Sequence, residues 1–328
     1  MKLAKPMNEK KITVALSVYR PDGRWLAEQV ASLAAQDIVQ NDAGTIELLC
    51  WNDSPESFDA DGWFRAHPQP FPVRVLGDGC THGVTAAFAA LTEAAGGTYI
   101  AYCDQDDIWL PQKLSRMAAY LDDHPDCPCC HCDAEMIGDD GQPFGRRLYP
   151  ESLHVLENIT HQKQFLLRAN WTLGCAMLVR ATIAKAALPF PQMVYHDQWL
   201  AVWSAFHGGI AFLPDVLLQH RLHSRHTSQM LVGIESRADY YEKKLAKDRG
   251  FLDFICERIP EAACFYADDR RWMAARIAWR DHHGLAEARA LWSGRHIRKS
   301  ITCFELLLPW LPDVLLPKVL DILRRKRG

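Results

Sequence analysis

Short apolar runs alternate with helical patterns along the first 110 residues. Runs rich in β-branched and aromatic residues predict buried strands over residues 11–19, 46–51, 73–76 and 99–103. Apolar residues at helical spacing predict helices over residues 25–36 and 84–95, and Gly96-Gly97 ends the second helix. Strands that alternate with helices in this order predict an α/β fold with a largely parallel sheet.

The middle of the chain continues this pattern, and the last third abandons it. We predict further helices over residues 111–122, 160–168 and from His196, and further strands over residues 128–133, 135–137, 174–179 and 208–213. Residues 233–300 are rich in Ala, Arg, Glu and Lys without a strand pattern, so we predict helices there. We therefore expect an open mixed sheet in residues 1–232, followed by a helical C-terminal region in residues 233–328.

An acidic run, Asp104-Gln105-Asp106-Asp107, directly follows the predicted strand 99–103. Three carboxylates within four residues repel one another unless a cation neutralises them. Hard oxygen ligands suit Mg²⁺ or Mn²⁺, and such an ion can bind a diphosphate. The alternative is a solvated acidic turn in which an Asp caps the next helix.

Two other polar clusters also follow predicted parallel strands. Ser17 and Tyr19 end the first strand, and Asn52-Asp53 ends the second. In open α/β sheets, ligands bind at the carboxyl ends of the strands. We therefore expect these clusters and the acidic run to converge on one edge of the sheet.

Composition narrows the class of protein. The net charge of −3 over 328 residues does not suggest a nucleic-acid partner, and the N-terminal residues lack the apolar stretch of a signal peptide. No stretch of 18 or more apolar residues predicts a membrane span. We expect the eleven cysteines to be reduced and the protein to be cytoplasmic.

The C-terminal end has a different character. Residues 304–320 are apolar and include Trp310, and Arg324-Arg325-Lys326-Arg327 follow. This composition is typical of an interfacial anchor on an anionic membrane leaflet. The alternative is a helix packed on the body of the protein with a basic end.

Taken in order, five segments of this chain resemble family 2 glycosyltransferases, closest to the bacterial branch that builds rhamnose-containing surface polysaccharides. The resemblance covers about residues 10–230 and is carried by residues 15–19, 52–53, 102–114, 196–199 and 221–223. It implies a GT-A fold, in which an open mixed sheet binds a nucleotide sugar. It also implies inverting, metal-dependent transfer to a hydroxyl group.

The resemblance assigns the donor side of the reaction. Ser17 and Tyr19 would line the base pocket, and Asp53 would accept a hydrogen bond from the base or the ribose. For Tyr19 the alternative is ordinary packing, and for Asp53 it is a turn-forming role. His82, where relatives often carry Asn, would contact the donor or have no role.

Within the acidic run, the resemblance makes Asp106 the direct metal ligand and Asp104 the partner of the ribose or of the metal's ligands. Asp107 would contact the metal through water or cap a helix opening at Trp109. Arg221 would bind the diphosphate, and His223 would complete the metal site with Mn²⁺ or Mg²⁺.

For the acceptor side of the reaction, the resemblance points to His196-Asp197-Gln198-Trp199. Asp197 matches the carboxylate that removes the acceptor proton, with a helix cap as the alternative. His196 could tune the pKa of Asp197, and Trp199 would either stack on a sugar or pack in the core. Asp133 matches a strand end that faces the active site or the acceptor groove.

The cluster Cys127-Pro128-Cys129-Cys130-His131-Cys132 contains zinc-ligand residue types. A structural zinc site normally uses two separated ligand pairs, and no second pair follows closely. We therefore favour a buried strand in which Cys serves as a small apolar residue.

The leading hypothesis is transfer of a sugar from a dTDP- or UDP-linked donor to a lipid-linked or growing cell-surface glycan at the inner face of the cytoplasmic membrane. One alternative is a sugar nucleotidyltransferase, which predicts a Gly-rich basic loop after the first strand; Ser17 to Gly23 is not such a loop. The other is a non-catalytic assembly module that docks through residues 233–328.

Overall fold

The computed structural model describes residues 11–41, 44–149, 159–223 and 233–325. The chain divides into two compact units, Met1–Ser224 and Arg225–Gly328. The first contains a sheet with helices around it, and the second is helical.

Within the described residues, nine strands form one mixed sheet. Their bounds are β1 (Lys11–Val18), β2 (Thr45–Asn52), β3 (Val73–Leu76), β4 (Tyr99–Cys103), β5 (Ile108–Trp109), β6 (Cys129–Ile137), β7 (Pro143–Arg147), β8 (Met177–Arg180) and β9 (Ile210–Arg221). The spatial order is β3-β2-β1-β4-β8-β6-β9-β5, and β7 pairs with β6. The first four neighbours are parallel, whereas β8 is antiparallel to both of its neighbours. The predicted open mixed α/β sheet is confirmed.

Helices of the first unit pack on this sheet around an apolar core. They are α1 (Gly23–Ala34), α2 (Asp37–Gln40), α3 (Ala60–Ala66), α4 (Val84–Ala94), α5 (Lys113–Asp123), α6 (Ile159–Arg168), α7 (Ala181–Ala186) and α8 (His196–Phe206). Asp22 caps α1 because its carboxylate accepts from the backbone N–H groups of Arg24 and Trp25. Val14, Leu16, Leu26 and Leu33 are among the fully buried core residues.

Most predicted elements agree with the structure to within two residues. The exceptions include β9, which runs to Arg221 where the prediction ended at residue 213, and α2, α3, α7 and β7, which were not predicted. The two-residue strand β5 was not predicted, since its pairing with β9 is a tertiary contact. The predicted strand 174–179 begins as a short 3₁₀ turn, Gly174–Ala176, before β8. The segments predicted as separate strands at 128–133 and 135–137 form the single strand β6.

The cysteine cluster lies on β6, as the strand interpretation predicted. Cys129, Cys130 and Cys132 are fully buried, and burial raises the pKa of each thiol. Successive side chains of a strand point to opposite faces, so neighbouring cysteines cannot converge on one ion. Within the described residues, these cysteines form no metal-ligand group.

The second unit consists of helices. They are α9 (Arg237–Asp239), a π-helical segment (Tyr240–Leu245), α10 (Ala246–Arg258), α11 (Pro260–Phe265), α12 (Ala267–Asp281), α13 (Leu285–Ser293), α14 (Lys299–Leu307) and α15 (Leu316–Arg325). The helical prediction for this region is confirmed. Across the described residues, none of the helices combines the length and apolar character needed to span a membrane.

Candidate active site

The ends of three parallel strands meet at one edge of the sheet. Val18 of β1 pairs with Asn52 of β2, and Leu16 of β1 pairs with Cys103 of β4. Tyr19, Asp53 and the acidic run therefore emerge together, as predicted for strand ends in a parallel sheet.

Gln105 ties the acidic run to the end of β1. The backbone N–H of Tyr19 donates to Gln105 Oε1 at 2.8 Å, and Gln105 Nε2 donates to the Tyr19 carbonyl at 3.1 Å. The ring of Tyr19 is exposed, so the structure does not support its packing alternative. Ser17 is half-buried beside it. Gln105 thus links the acidic run of the predicted metal site to the end of β1 at the predicted base pocket.

Burial and like charge raise the pKa of two carboxylates of the acidic run. Burial, followed by the charges of Asp107 and Asp106, raises the pKa of Asp104 to about 8. Burial and the charge of Asp107 also raise the pKa of Asp106. A bound cation would reverse both shifts, because it favours the ionised carboxylates.

His223 supplies a nitrogen beside these oxygens. Its Nε2 lies 2.7 Å from Asp106 Oδ2, and its ring packs on Trp25 with centroids 4.9 Å apart. Carboxylate oxygens with one imidazole are a donor set that suits Mn²⁺ or Mg²⁺. The structure thus brings Asp106 and His223 together, whereas no group of three metal-binding side chains in the described residues joins them with Asp104, so their binding of a cation stays a prediction.

Arg221 is fully buried, and its guanidinium is engaged within the protein. Nε donates to the Asp106 carbonyl at 2.8 Å, and Nη1 donates to the carbonyls of Gly138 and Asp139 at 3.0 and 3.2 Å. Nη2 pairs with Glu28 at 2.6 Å. This geometry makes Arg221 a brace for the acidic run, and its contact with a diphosphate stays a prediction.

The Asp107 side chain is fully buried and does not cap a helix. The alternative in which it caps a helix at Trp109 is wrong, because β5 follows it and α5 begins only at Lys113. Its Oδ1 accepts from His220 Nδ1 at 2.8 Å and from the Arg221 backbone at 3.1 Å. Burial opposes charge on both side chains, but the ion pair prevails: the pKa of Asp107 is lowered and that of His220 is raised to about 9.

Cys175 completes a buried group with Asp107 and His220, since their ligand atoms lie within 4.8 Å of one another. These residue types can bind a metal. The ammonium of Lys113 is also buried near this group, and burial lowers its pKa. A cation already present in the protein disfavours a second one, so we interpret the group as an ion pair that supports the acidic run.

Asp197 is buried in the first turn of α8 and is not the N-cap residue, which is Tyr195. Its Oδ1 accepts from Asn170 Nδ2 at 2.9 Å and from the Gln198 backbone at 2.7 Å. Burial outweighs these hydrogen bonds and raises the pKa of Asp197 to about 6. Asp197 in turn contributes to the raised pKa of Asp104, so the two carboxylates share an electrostatic environment.

The two neighbours predicted to assist Asp197 belong to the core. Burial lowers the pKa of His196 to about 3, and its ring packs on Phe88 at a centroid distance of 4.0 Å. His196 is therefore neutral and cannot tune Asp197 through charge. Trp199 is fully buried and donates to the Ala187 carbonyl at 2.8 Å, so the core-packing alternative holds and sugar stacking is wrong.

Asp53 organises the loop before α4. Its carboxylate accepts from the backbone N–H groups of His82 at 2.7 Å and Gly83 at 3.0 Å. Gly83 has φ of 87°, a conformation that glycine adopts without strain. The exposed His82 ring pairs with Asp78 at 2.8 Å. Asp53 thus shapes the predicted base pocket, and its own hydrogen bond to a donor stays a prediction.

Asp133 is buried and its contacts serve the fold. Its Oδ2 accepts from Arg147 Nε at 2.7 Å, and its Oδ1 accepts from the backbone N–H groups of Ala134 and Tyr149 at 2.8 and 3.1 Å. These contacts tie β6 to β7 and the residues after it. The predicted opening of Asp133 toward an acceptor groove is wrong for this structure, because its oxygens are used internally.

The residues that the sequence analysis missed as individual site residues include Gln105, Asn170, Glu28, His220 and Cys175. Gln105 lies inside the acidic run and could have been suspected from its position. Asn170 lies 27 residues before Asp197, and Glu28 lies 193 residues before Arg221. Such separations leave no periodic or local signal in a single sequence.

Comparison with known proteins gives a family match over half of the chain. The family model for glycosyl transferase family 2 matches residues 13–184. An uncharacterized protein of Mycobacterium tuberculosis, Rv1520, is 32% identical over 146 residues, which are 43% of this chain and 40% of that protein. The match to this relative thus covers less than half of its length.

Solved structures share the fold at low sequence identity. TarS of S. aureus in complex with UDP-GlcNAc superposes with a TM-score of 0.57 at 18% identity, covering 87% of this chain and 79% of that chain. The mannosyltransferase PcManGT of Pyrobaculum calidifontis, in complex with GDP-Man and Mn²⁺, gives 0.52 at 15% identity, covering 93% and 87%.

The family match includes β1 to β4, the acidic run and β8, which together form the framework of the corner described above. The fold comparisons extend the likeness over most of the chain. The protein belongs to glycosyl transferase family 2.

Proposed function

We propose that this protein is an inverting, divalent-metal-dependent glycosyltransferase. The observation that supports this most strongly is an acidic run in which burial and like charge raise the pKa of Asp104 and Asp106, together with a separate buried carboxylate, Asp197. Asp104 carries a raised pKa, and the charge of Asp197 contributes to it. The acidic run would assist departure of the diphosphate, and Asp197 would act on the acceptor hydroxyl.

On the leaving-group side, Asp104, Asp106 and His223 would hold Mn²⁺ or Mg²⁺. The ion, when bound, offsets the negative charge that develops on the departing nucleoside diphosphate. Two contacts would hold the acidic run in place. Arg221 donates a hydrogen bond to the Asp106 carbonyl, and Asp107 pairs with His220. Preorganised charge of this kind needs no rearrangement during the reaction.

On the acceptor side, Asp197 would accept the proton of the attacking hydroxyl. The acceptor oxygen bonds to the anomeric carbon as the bond to the diphosphate oxygen breaks, which inverts that carbon. A carboxylate with a pKa of about 6 is mostly ionised at pH 7 and is a stronger base than an ordinary aspartate. Asn170 would keep the carboxylate oriented.

For the donor, we propose a nucleoside-diphosphate sugar whose base lies near Ser17, Tyr19, Asp53 and His82. The structural neighbours are complexes with UDP-GlcNAc and GDP-Man, while the sequence resemblance favours dTDP- or UDP-linked rhamnose. The acceptor would be a hydroxyl of a lipid-linked or growing cell-surface glycan at the inner face of the cytoplasmic membrane.

A panel of UDP-, dTDP- and GDP-sugars tests this proposal. We expect slow release of one nucleoside diphosphate with Mn²⁺ or Mg²⁺ and none with a chelator. Inorganic pyrophosphate formed from a nucleoside triphosphate and a sugar 1-phosphate would instead identify a nucleotidyltransferase. No release from any donor, together with no metal-dependent nucleotide binding, would favour a non-catalytic assembly module.

A further inference from the structure

Helix α13 carries two large apolar side chains that face solvent. Leu285 is 79% exposed and Trp292 is 43% exposed. They lie seven positions apart, and the exposed Arg289 lies four positions after Leu285, so the three side chains share one face of the helix. We call Leu285, Arg289 and Trp292 the outer face of α13. Single exposed apolar residues are ordinary, but two of them beside a cation on a single helical face are typical of an interaction surface.

The inner side of α13 keeps this face outward. Leu291 is fully buried in an apolar core, whose other buried members are Trp272, Trp279 and Ile297. Because Leu291 and Trp292 are adjacent in the helix, a rotation that buried Trp292 would withdraw Leu291 from that core and lose its burial. The exposure of the outer face is therefore a property of the packed helices.

The turn that follows α13 is also packed closely, and it carries a cation next to Trp292. Gly294 begins the 3₁₀ turn Gly294–His296, and a Cβ atom at Gly294 would clash with the Trp272 ring. The Arg295 guanidinium lies 4.9 Å from the centre of the Trp292 ring, and its Nη1 donates to the Trp292 carbonyl at 3.0 Å. The turn thus holds a cation over the exposed indole.

The charge of this segment is unbalanced. Residues 285–299 contain four Lys and Arg residues and one acidic residue, Glu287, a net charge of +3, whereas the whole chain carries −3. The side chains of Arg289, Arg295 and Lys299 are exposed. Across the described residues, none of these three cations forms an ion pair with a carboxylate. Their charge is therefore available to a partner.

The helices packed on α13 do not offset this charge. α12 contains four arginines and three aspartates. In α14 the acidic residue, Glu305, is buried and paired with Arg276 at 2.7 Å. The apolar C-terminal segment that the sequence predicts as an anchor differs, because within residues 307–320 the charges of Lys318 and Asp313 cancel. Basic and exposed apolar side chains therefore coincide at α13 rather than in that segment.

We propose that the outer face of α13, together with Arg295 and Lys299, is a docking surface for an anionic lipid bilayer. A helix that lies in a membrane interface combines an apolar stripe with Lys or Arg residues, which is the composition of this face. The Trp292 ring suits the boundary between acyl chains and headgroups, and the neighbouring cations suit anionic headgroups. An acidic protein would satisfy the cations but would need a matching pocket for Leu285 and Trp292, whereas acyl chains accept both without one. Docking here would keep a lipid-linked acceptor within reach, a benefit that rests on the proposed function.

Sedimentation of the full chain with vesicles tests the charged part of this surface. Phosphatidylcholine vesicles containing phosphatidylglycerol should bind the protein, and high salt or pure phosphatidylcholine should weaken binding. In Arg289→Gln/Arg295→Gln, we expect the partition coefficient on anionic vesicles to fall about ten-fold or more. The matched control, Lys247→Gln/Arg270→Gln, removes two exposed cations from α10 and α12 and should bind normally.

A second pair of variants tests the apolar part. Leu285→Ser/Trp292→Ser should lower the partition coefficient about ten-fold while the remaining binding stays sensitive to salt. The control Leu307→Ser/Trp310→Ser removes two exposed apolar residues from the segment without net charge and should bind normally. Because every substituted side chain is exposed, circular dichroism of each variant should match that of the unchanged protein.

Two results would overturn the proposal: no binding of the unchanged protein to anionic vesicles, or undiminished binding by either α13 variant. An equal loss in a control would place the docking surface away from α13. Binding to the acidic polymer polyglutamate, without any binding to vesicles, would identify an acidic protein as the partner instead. Vesicle binding needs no sugar donor, so its failure is distinct from failure of the proposed transfer reaction.

Discussion

Two buried charged clusters in this protein differ in one property, the balance of charge. In the second unit, Arg276 contacts Glu305 at 2.7 Å and Asp248 at 3.3 Å, and Lys244 pairs with Asp248. In the acidic run of the first unit, His220 pairs with Asp107, but burial and like charge still raise the pKa of Asp104 and of Asp106. The pKa of Asp248 and the pKa of Asp104 record this difference.

In the balanced cluster, burial alone would raise the pKa of Asp248, but Lys244 and Arg276 bring it below its ordinary value. In the acidic run, burial and like charges raise the pKa of Asp104 to about 8. The same type of residue at similar burial thus shifts in opposite directions. A cluster whose charges are paired is destabilised when one partner is removed, while one with raised carboxylate pKa values is suited to a charged ligand.

The largest effect should come from Asp197→Asn. The amide keeps the shape of the side chain but cannot accept a proton, so transfer should fall by about 10²–10⁴-fold while nucleotide binding persists. Initial rates and nucleotide affinity measured on the same preparation check this. Asp61→Asn, at an exposed aspartate in the first turn of α3, is the control. Unchanged transfer in Asp197→Asn would remove Asp197 as the base.

The balanced cluster should respond in stability instead. Arg276→Met leaves Glu305 and Asp248 short of a buried cation, which should cost about 3–5 kcal/mol in the free energy of unfolding. Urea unfolding of the full chain measures the change. The double variant Arg276→Met/Glu305→Gln should recover part of the loss, because it also removes the uncompensated carboxylate. A single variant as stable as the unchanged protein would mean that the cluster's balance is unimportant.

A divalent ion should bind the acidic run and not the balanced cluster. Mn²⁺ at about 100 times its dissociation constant should stabilise the protein by about 2.7 kcal/mol, because it binds the folded acidic run. Thermal unfolding with and without chelator measures this. Asp106→Asn should lose most of the metal-dependent shift, whereas Asp248→Asn should retain it. An equal shift in both variants would place the ion elsewhere.

The smallest effect should come from Asn170→Ala. The hydrogen bond from Asn170 lowers the pKa of Asp197, so its loss should raise that pKa above about 6. A base works when deprotonated, so kcat/KM should fall as pH drops through the pKa of Asp197, by about ten-fold per pH unit below it. In Asn170→Ala this limb should move to higher pH, with about ten-fold lower activity near pH 6. Asn41→Ala, at an exposed asparagine, should leave the profile in place.

Local sequence pattern was enough to predict most elements of the fold. The strands β1 to β4 and the helices α1 and α4 follow from periodicity and breakers, since each has an apolar pattern and a clear end. The short strand β5 could not be foreseen, because two residues have no periodicity and exist as a strand only through pairing with β9. The positions of the acidic run and of Asp53 at strand ends followed from the parallel order.

The sequence by itself determined that aspartates follow the C-terminal ends of parallel strands. A strand's direction and its following residue are local properties, so this required no knowledge of distant contacts. Tertiary structure alone decided which of the candidate side chains are free to act. Trp199, His196 and Asp133 carry suitable chemistry but are turned into the core or tied to the backbone. Arg221 braces the acidic run through contacts up to 193 residues away. Side-chain environment depends on elements that meet only after folding, and therefore no pattern within one segment encodes it.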